Sequence, residues 1–360
     1  MSYSKRLSAH SRRAHAAALL VLIAAWATAV FVCPQDASAQ SPPKTQIKFA
    51  TLAPDGSTWM KVMRAIDVQV RAETGNRLGF KFYPGGVQGD EKDVLRKIRN
   101  GQLHGGGFTG YGLGAIAPEY RVMELPFMFK NVDEVDYARG ELEPYITDVF
   151  KKKGFDFLGW GDVGFVYLYS NSPIASPDDL RRSKMWTWSG DLLAEIFFKA
   201  FNVSPIPLAL PDVLTSLQMG VIDAAYASPL ACVAVQWFTR VKYVTDVPIT
   251  YGFGGLLVSE KALQGVAPGD IETLRRVCRE QTKTLVDRTR RENAEAEKAI
   301  LAEGVKVIEV PEGSETEFFA TARAAWKDGV GRLYPQDLLE RVIKLVDAYR
   351  ANPKKAPSTP

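Results

Sequence analysis

The sequence predicts a secreted, two-lobed α/β protein. Each lobe is a small parallel or mixed sheet flanked by helices, and one long helix spans both. Three observations predict this. Strand-like and helix-like patterns alternate along most of the chain, which is the arrangement that builds such sheets. From Asp270 to Gly304 the chain runs without an internal proline or glycine, giving a helix of about 50 Å at 1.5 Å per residue, too long for one small lobe. The front of the 360-residue chain has the basic, apolar, small-residue order of a cleavable secretory leader.

In that leader, Lys5, Arg6, Arg12 and Arg13 precede an apolar run from Ala16 to about Val32, and "DASAQ" follows. Cleavage is expected after Ala39, and the run is short for a membrane anchor. Bulky Val32 argues against lipidation at Cys33, and Arg12-Arg13 leaves twin-arginine export open beside the general route. The chain has 45 basic and 41 acidic residues. The leader holds four of the basic residues and one acid, leaving 41 against 40 in the mature part. That balance gives no reason to expect a nucleic-acid partner. The mature chain keeps one histidine, His104, and two cysteines, Cys232 and Cys278. The cysteines are either two buried thiols or a disulfide. No later stretch is apolar enough to span a membrane, so the expected location is the periplasm.

The elements follow in order. "IKFAT" (47–51) reads as a buried strand. Trp59, Met63, Ile66 and Val70 then recur at helical spacing, with Gly75 as a stop. "RLGFKFY" alternates as a strand, and Asp90 opens a helix closed by Gly101. Leu142, Tyr145, Ile146 and Val149 form a helical face ending at Gly154. "FDFLGW" and "FVYLYS" read as two strands, and Ser176-Pro177 as a helix start. "KMWTW" is a short strand before a helix in "GDLLAEIFFKAF", and Trp186 and Trp188 share its side-chain parity. A helix in "DVLTSLQMG", a strand in "VIDAAYAS" and a helix in "PLACVAVQWF" follow, and then the long helix. The strand "VKVIEV" and helices over 314–327 and 338–349 complete the chain.

Catalytic constellations are missing. There is no GxSxG, P-loop, HExxH or paired CxxC, and His104 reads as a strand-end histidine. "GGGFTGYGLG" lacks the strand–GxGxxG–helix order and reads as backbone at a crevice wall, where small residues let something approach. No enzyme activity, cofactor or metal is expected. In such sheets ligands bind outside the carboxyl ends of strands, which here means the cleft between the lobes.

Several words, in order, resemble the DctP-type solute-binding proteins of TRAP (tripartite ATP-independent periplasmic) transporters. They are "IKFATLAPDGSTWMK", "YPGGVQGDEKDVLRKIRNGQL", "ELPFMF", "FLGWGDVGF", "SPDDLRRSKMW" and "LTSLQMGVIDAA". The resemblance implies lobe I over 40–163 with 252–291 and lobe II over 164–251 with 292–345, leaving a disordered tail over 346–360. It also implies closure around a small ligand and delivery to TRAP membrane permease subunits. Where the family usually carries a carboxylate-clamping arginine this chain has Trp186, and Val166 stands at a second arginine position. Asp212 stands in for a glutamate, and an asparagine expected after "GVID" is absent. An indole offers one N–H and no charge where a guanidinium offers a forked pair.

The resemblance therefore implies an aromatic cleft suited to a neutral, aromatic or apolar solute. A cation held over ring faces, with charge from Asp162 or Asp191, also fits. The expected ligand contacts are Trp186, Trp188, Phe165, Tyr167, Asp212, Tyr226, Trp237, Phe108, Tyr111 and Asp162. The alternative is an organic acid held by an arginine supplied from elsewhere, such as Arg64, Arg121 or Arg240.

Overall fold

The structure is a computed structural model that describes residues 42–353. The leader, its cleavage point and residues 354–360 lie outside the described residues. The first part of the chain runs β1 (Thr45–Thr51), α1 (Thr58–Glu73), β2 (Leu78–Tyr83), α2 (Glu91–Arg99), β3 (Gly105–Thr109), α3 (Gly110–Ile116) and α4 (Val132–Lys152). The middle runs β4 (Phe155–Ser170), α5 (Pro177–Arg182), β5 (Trp186–Trp188), α6 (Leu192–Ala200), β6 (Ile206–Leu208), α7 (Val213–Met219), β7 (Ala224–Ala227) and α8 (Pro229–Ala234). The last part is β8 (Tyr243–Thr245), β9 (Thr250–Ser259), α9 (Pro268–Ala302), β10 (Lys306–Ile308), α10 (Glu312–Ala325) and α11 (Gln336–Ala351).

Local chemistry sets these boundaries. Ser57 Oγ accepts from the Met60 amide and starts α1, whose Met60, Met63, Ile66 and Val70 form the buried face. Asp90 and Asp93 make a reciprocal capping box at α2. Gly220, at φ +69°, ends α7 in the left-handed region where a side chain would be strained.

The sheet is mixed, in the order β10-β8-β4-β9-β3-β1-β2, with β7 also paired to β4; β5 and β6 form a separate parallel pair. β1 runs parallel to β2 and β3, while β9 runs antiparallel to both β3 and β4. "FDFLGW" and "FVYLYS" turn out to be one strand, the 16-residue β4, with irregularities at Phe157/Gly159 and Asp162/Gly164. The extra residues bend the strand without ending it. Its residues 155–166 pair with β9, and 167–170 turn to β7 and β8. The long helix α9 packs against α1, β4 and α8, touching both halves.

Two expectations change. β9 has no counterpart in the pattern reading, because "TYGFGG" is too rich in glycine to look like a strand. The tail expected from residue 346 is still helix through Ala351. Leu338, Leu339, Val342 and Val346 continue the buried face, and Arg350 bonds Glu134 of α4. Cys232 and Cys278 are buried free thiols. His104 Nδ1 accepts from the Lys48 amide at 3.2 Å, just before β3 and away from the cavity described below.

Candidate functional site

A cavity of about 580 Å³ opens among the carboxyl ends of β1 and β3, the bend of β4, and β5 with β7. Its wall is mostly apolar and ring-bearing. On one side, β5 supplies Trp186 and Trp188, and β7 supplies Tyr226. Trp186 stacks on Tyr226 (4.9 Å, 30°), meets Trp237 edge-on (5.1 Å, 76°) and leans on Trp188 (4.9 Å, 56°). Trp186 is 0% exposed and its Nε1 donates to the Leu208 carbonyl at 3.2 Å. It therefore backs the wall, while half-buried Trp188 and Tyr226 form the surface in front of it.

The two sides meet at the turn after β5. Tyr111 of α3 stacks on Trp188 (5.0 Å, 9°), and its hydroxyl donates to the Ser189 carbonyl at 3.0 Å. Lys92 Nζ donates to the carbonyls of Ser189 (2.8 Å) and Gly190 (3.2 Å). Arg121, in the 3-10 turn Pro118–Glu124, reaches Asp191 at 3.1 Å.

Exposed Lys61 also lines the cavity, and the buried charged groups on the wall are held within the chain. Arg121 is buried between Asp191 and Glu124, with Nε 3.3 Å from the Glu124 carboxylate. Asp191 Oδ1 also caps α6 by accepting from the Leu193 and Ala194 amides. Glu124 accepts from the Phe253 amide at 2.9 Å, and burial raises its pKa. Glu91 accepts from the amides of Thr109 and Gly112, both at 2.7 Å, and from the Thr109 hydroxyl. It thereby caps α3, whose own N-cap Thr109 makes no side-chain cap. Burial pushes the Glu91 carboxyl up to about 8, so it carries a proton at neutral pH.

Seven of the ten expected contacts line the cavity: Phe108, Tyr111, Asp162, Trp186, Trp188, Tyr226 and Trp237. Of these, Asp162 is 0% exposed and bonded to Arg139, Arg290 and Tyr251, so it ties β4 to α4, α9 and β9 rather than facing a solute. Three contacts are corrected. Val166 faces the cavity, so its neighbours Phe165 and Tyr167 alternate to the other side of β4. Phe165 instead packs edge-on against Tyr251 (4.9 Å, 88°), and Tyr167 joins the cluster behind the Trp186 wall. Asp212 is exposed at the start of α7, outside the lining, where Leu210 takes its place.

Of the three arginines named as an alternative to the family's usual clamp, Arg121 is on the wall. Arg64 pairs with Asp55 at the surface, and Arg240 lies outside the lining. Trp59 was placed on a helix face but not assigned to the site; it is half-buried and lines the cavity. The clue was in the glycine words of β3, β4 and β9, which make room for its ring.

The model of the bacterial extracellular solute-binding protein family 7 (DctP) matches residues 49–331. The chain belongs to this family. A solute-binding protein of Chromohalobacter salexigens is 30% identical over 167 residues, covering 46% of this chain and 49% of that protein. This family 7 chain thus spans about half the length of that relative. The C4-dicarboxylate-binding periplasmic protein DctP of Rhodobacter capsulatus is 24% identical over 275 residues, 75% of this chain and 79% of that one. In fold, the chain matches a Sulfitobacter TRAP periplasmic solute-binding protein with bound β-D-galacturonate. The TM-score is 0.76 at 22% identity, covering 84% of this chain and 100% of that one. Family 7 consists of two-lobed solute-binding proteins, not enzymes, and the mixed α/β sheet here follows that architecture.

Proposed function

We propose that this family 7 protein is the extracytoplasmic receptor of a TRAP-type secondary transporter and captures a small organic acid in the ringed cavity. The ligand carboxylate meets Arg121, and the rest of the molecule lies among the rings. The lobes close over it and deliver it to membrane permease subunits, after export and cleavage following Ala39. The lobes divide near residues 163, 251 and 291, where β4, β9 and α9 pass from one to the other. The observation that carries the acid reading is the position of Arg121, the one arginine among the described lining residues. The relatives support it, since one is named for C4-dicarboxylates and another holds galacturonate.

The surroundings of Arg121 add a condition. An incoming carboxylate joins one guanidinium and two carboxylates in a buried place, so one acid must take a proton. Glu124, with its raised pKa, is the group placed to do so. Affinity for an acid should then rise as pH falls, by up to about tenfold per unit for one proton taken up.

A second reading is a neutral solute that leaves Arg121 bound to Glu124 and Asp191, favoured by the fact that both partners are already in place. Titration calorimetry between pH 5.5 and 8 with organic acids and with neutral ring compounds separates the two. Acid binding that strengthens toward low pH and is lost in Arg121→Gln supports the first. Binding of neutral compounds only, indifferent to pH, replaces it with the second.

A further inference from the structure

We propose that Trp59, seated on a floor of glycines, is the specificity plate of the cavity, selecting a solute with a flat apolar ring over a polyhydroxylated one. This rests on the cavity being the solute site. Trp59 is the second residue of α1, and its indole lies across three neighbouring strands. A Cβ at Gly161 of β4 would stand 2.5 Å from Trp59 Cη2, and one at Gly254 of β9 would stand 2.8 Å from the same atom. A Cβ at Gly107 of β3 would stand 3.4 Å from Cζ3. Gly161 and Gly254 are register partners, and Gly254 is paired on its other side with Thr109 of β3. Non-bonded carbons do not approach to 2.5 or 2.8 Å, so the ring lies against backbone because those strands carry no side chain there. The floor holds the indole, and the part left uncovered is presented to the cavity.

The polar groups of the wall point to the same selection. The hydroxyls of Thr51, Ser57, Thr58, Thr109, Ser228 and Thr250 on the cavity wall each have a partner within the chain, while Thr289 Oγ1, the Tyr226 hydroxyl and Trp188 Nε1 have none. Glu91, Asp162 and Asp191 are likewise held by internal donors. A sugar acid entering this cavity would have to satisfy its several hydroxyls chiefly on Thr289, Tyr226, Trp188 and the exposed Lys61, a cost that a flat ring avoids. Aromatic faces at Trp59, Trp188 and Tyr226 offer such a ring offset or edge-on contacts.

The test is calorimetric titration of the purified protein and of Trp59→Ala, Trp59→Phe and Gly161→Ala. The probes are phenylacetate, indole-3-acetate and galacturonate, with indole and benzyl alcohol as neutral ring probes. The ring acids should bind the unaltered protein at least tenfold more tightly than galacturonate does. Trp59→Ala should lose at least tenfold for ring probes, and Trp59→Phe should keep most of the affinity. Gly161→Ala, which shifts the indole without reaching a ligand, should lose affinity in the same direction as Trp59→Ala. If Trp59→Ala does not fold, the other two variants decide. Galacturonate binding as tightly as the ring acids overturns the proposal, as does unchanged ring binding in the variants or no ring binding at all. Neutral rings that bind through Trp59 while every acid fails would keep the plate and remove the acid reading. Galacturonate binding that needs Arg121 and ignores Trp59 would do the reverse.

Discussion

Two tryptophan-bearing walls face the cavity, and they are built on opposite principles. On the β5 side, rings rest on rings. Trp186 is enclosed by Trp188, Tyr226 and Trp237 and spends its N–H on Leu208, so it is core. On the other side a single ring, Trp59, rests on the backbone of three strands and stays half-buried. The first wall gains rigidity by burial, while the second gains a presented surface by omitting side chains beneath it. Position in a family pattern therefore does not separate the enclosed tryptophan from the presented one, and packing does.

The largest effect that tests this contrast is on stability. Trp186→Ala should cost about 3–5 kcal/mol, as truncation of a fully buried aromatic does. Trp59→Ala should cost roughly half as much, because only part of its ring is out of water. Urea unfolding of the two variants measures this, and equal costs would erase the distinction.

The next effect is a pH dependence on the Trp59 side. The folded-state pKa of Glu91 is raised from 4.5 to about 8, so the folded protein holds a proton that the unfolded chain releases. Its contribution is fully present below about 4.5 and is lost as pH rises through 8, at up to roughly 1.4 kcal/mol per unit. Glu91→Gln should flatten that slope in melting curves between pH 5 and 8. An unchanged slope would mean that Glu91 is ionised where it caps α3. The smallest effect is at the junction between the walls. Tyr111→Phe keeps the stack on Trp188 but loses the bond to the Ser189 carbonyl, for about 0.5–1.5 kcal/mol in the same unfolding assay.

Much of the fold was legible in the sequence because amphipathic periodicity and caps are local signals. α1, α2, α7 and α9 follow the expected apolar spacing and stops. β9 was not legible, since its glycines serve neighbouring strands and the Trp59 ring and give no pattern of their own. β4 read as two strands because its bend at Asp162–Gly164 looks like a turn when its partner is unseen. In the site, the aromatic character of the wall was readable from "KMWTW" and "AAYAS", but strand parity after a bulge was not. Phe165 and Tyr167 were therefore assigned to the face that Val166 occupies. Arg121 was named among three arginines, but nothing in "PEYRVMEL" marks it as the one on the wall. Its place follows from the turn Pro118–Glu124 and from Asp191, seventy residues away.

The most direct measurement is a crystal structure of the protein closed on whatever solute it retains through purification. The account predicts an organic acid with its carboxylate within hydrogen-bond reach of Arg121 and its apolar body against the open part of the Trp59 indole. Density for a solute bound elsewhere, or lying in the cavity with Arg121 still clasped by Glu124 and Asp191 and no ring near Trp59, would contradict it.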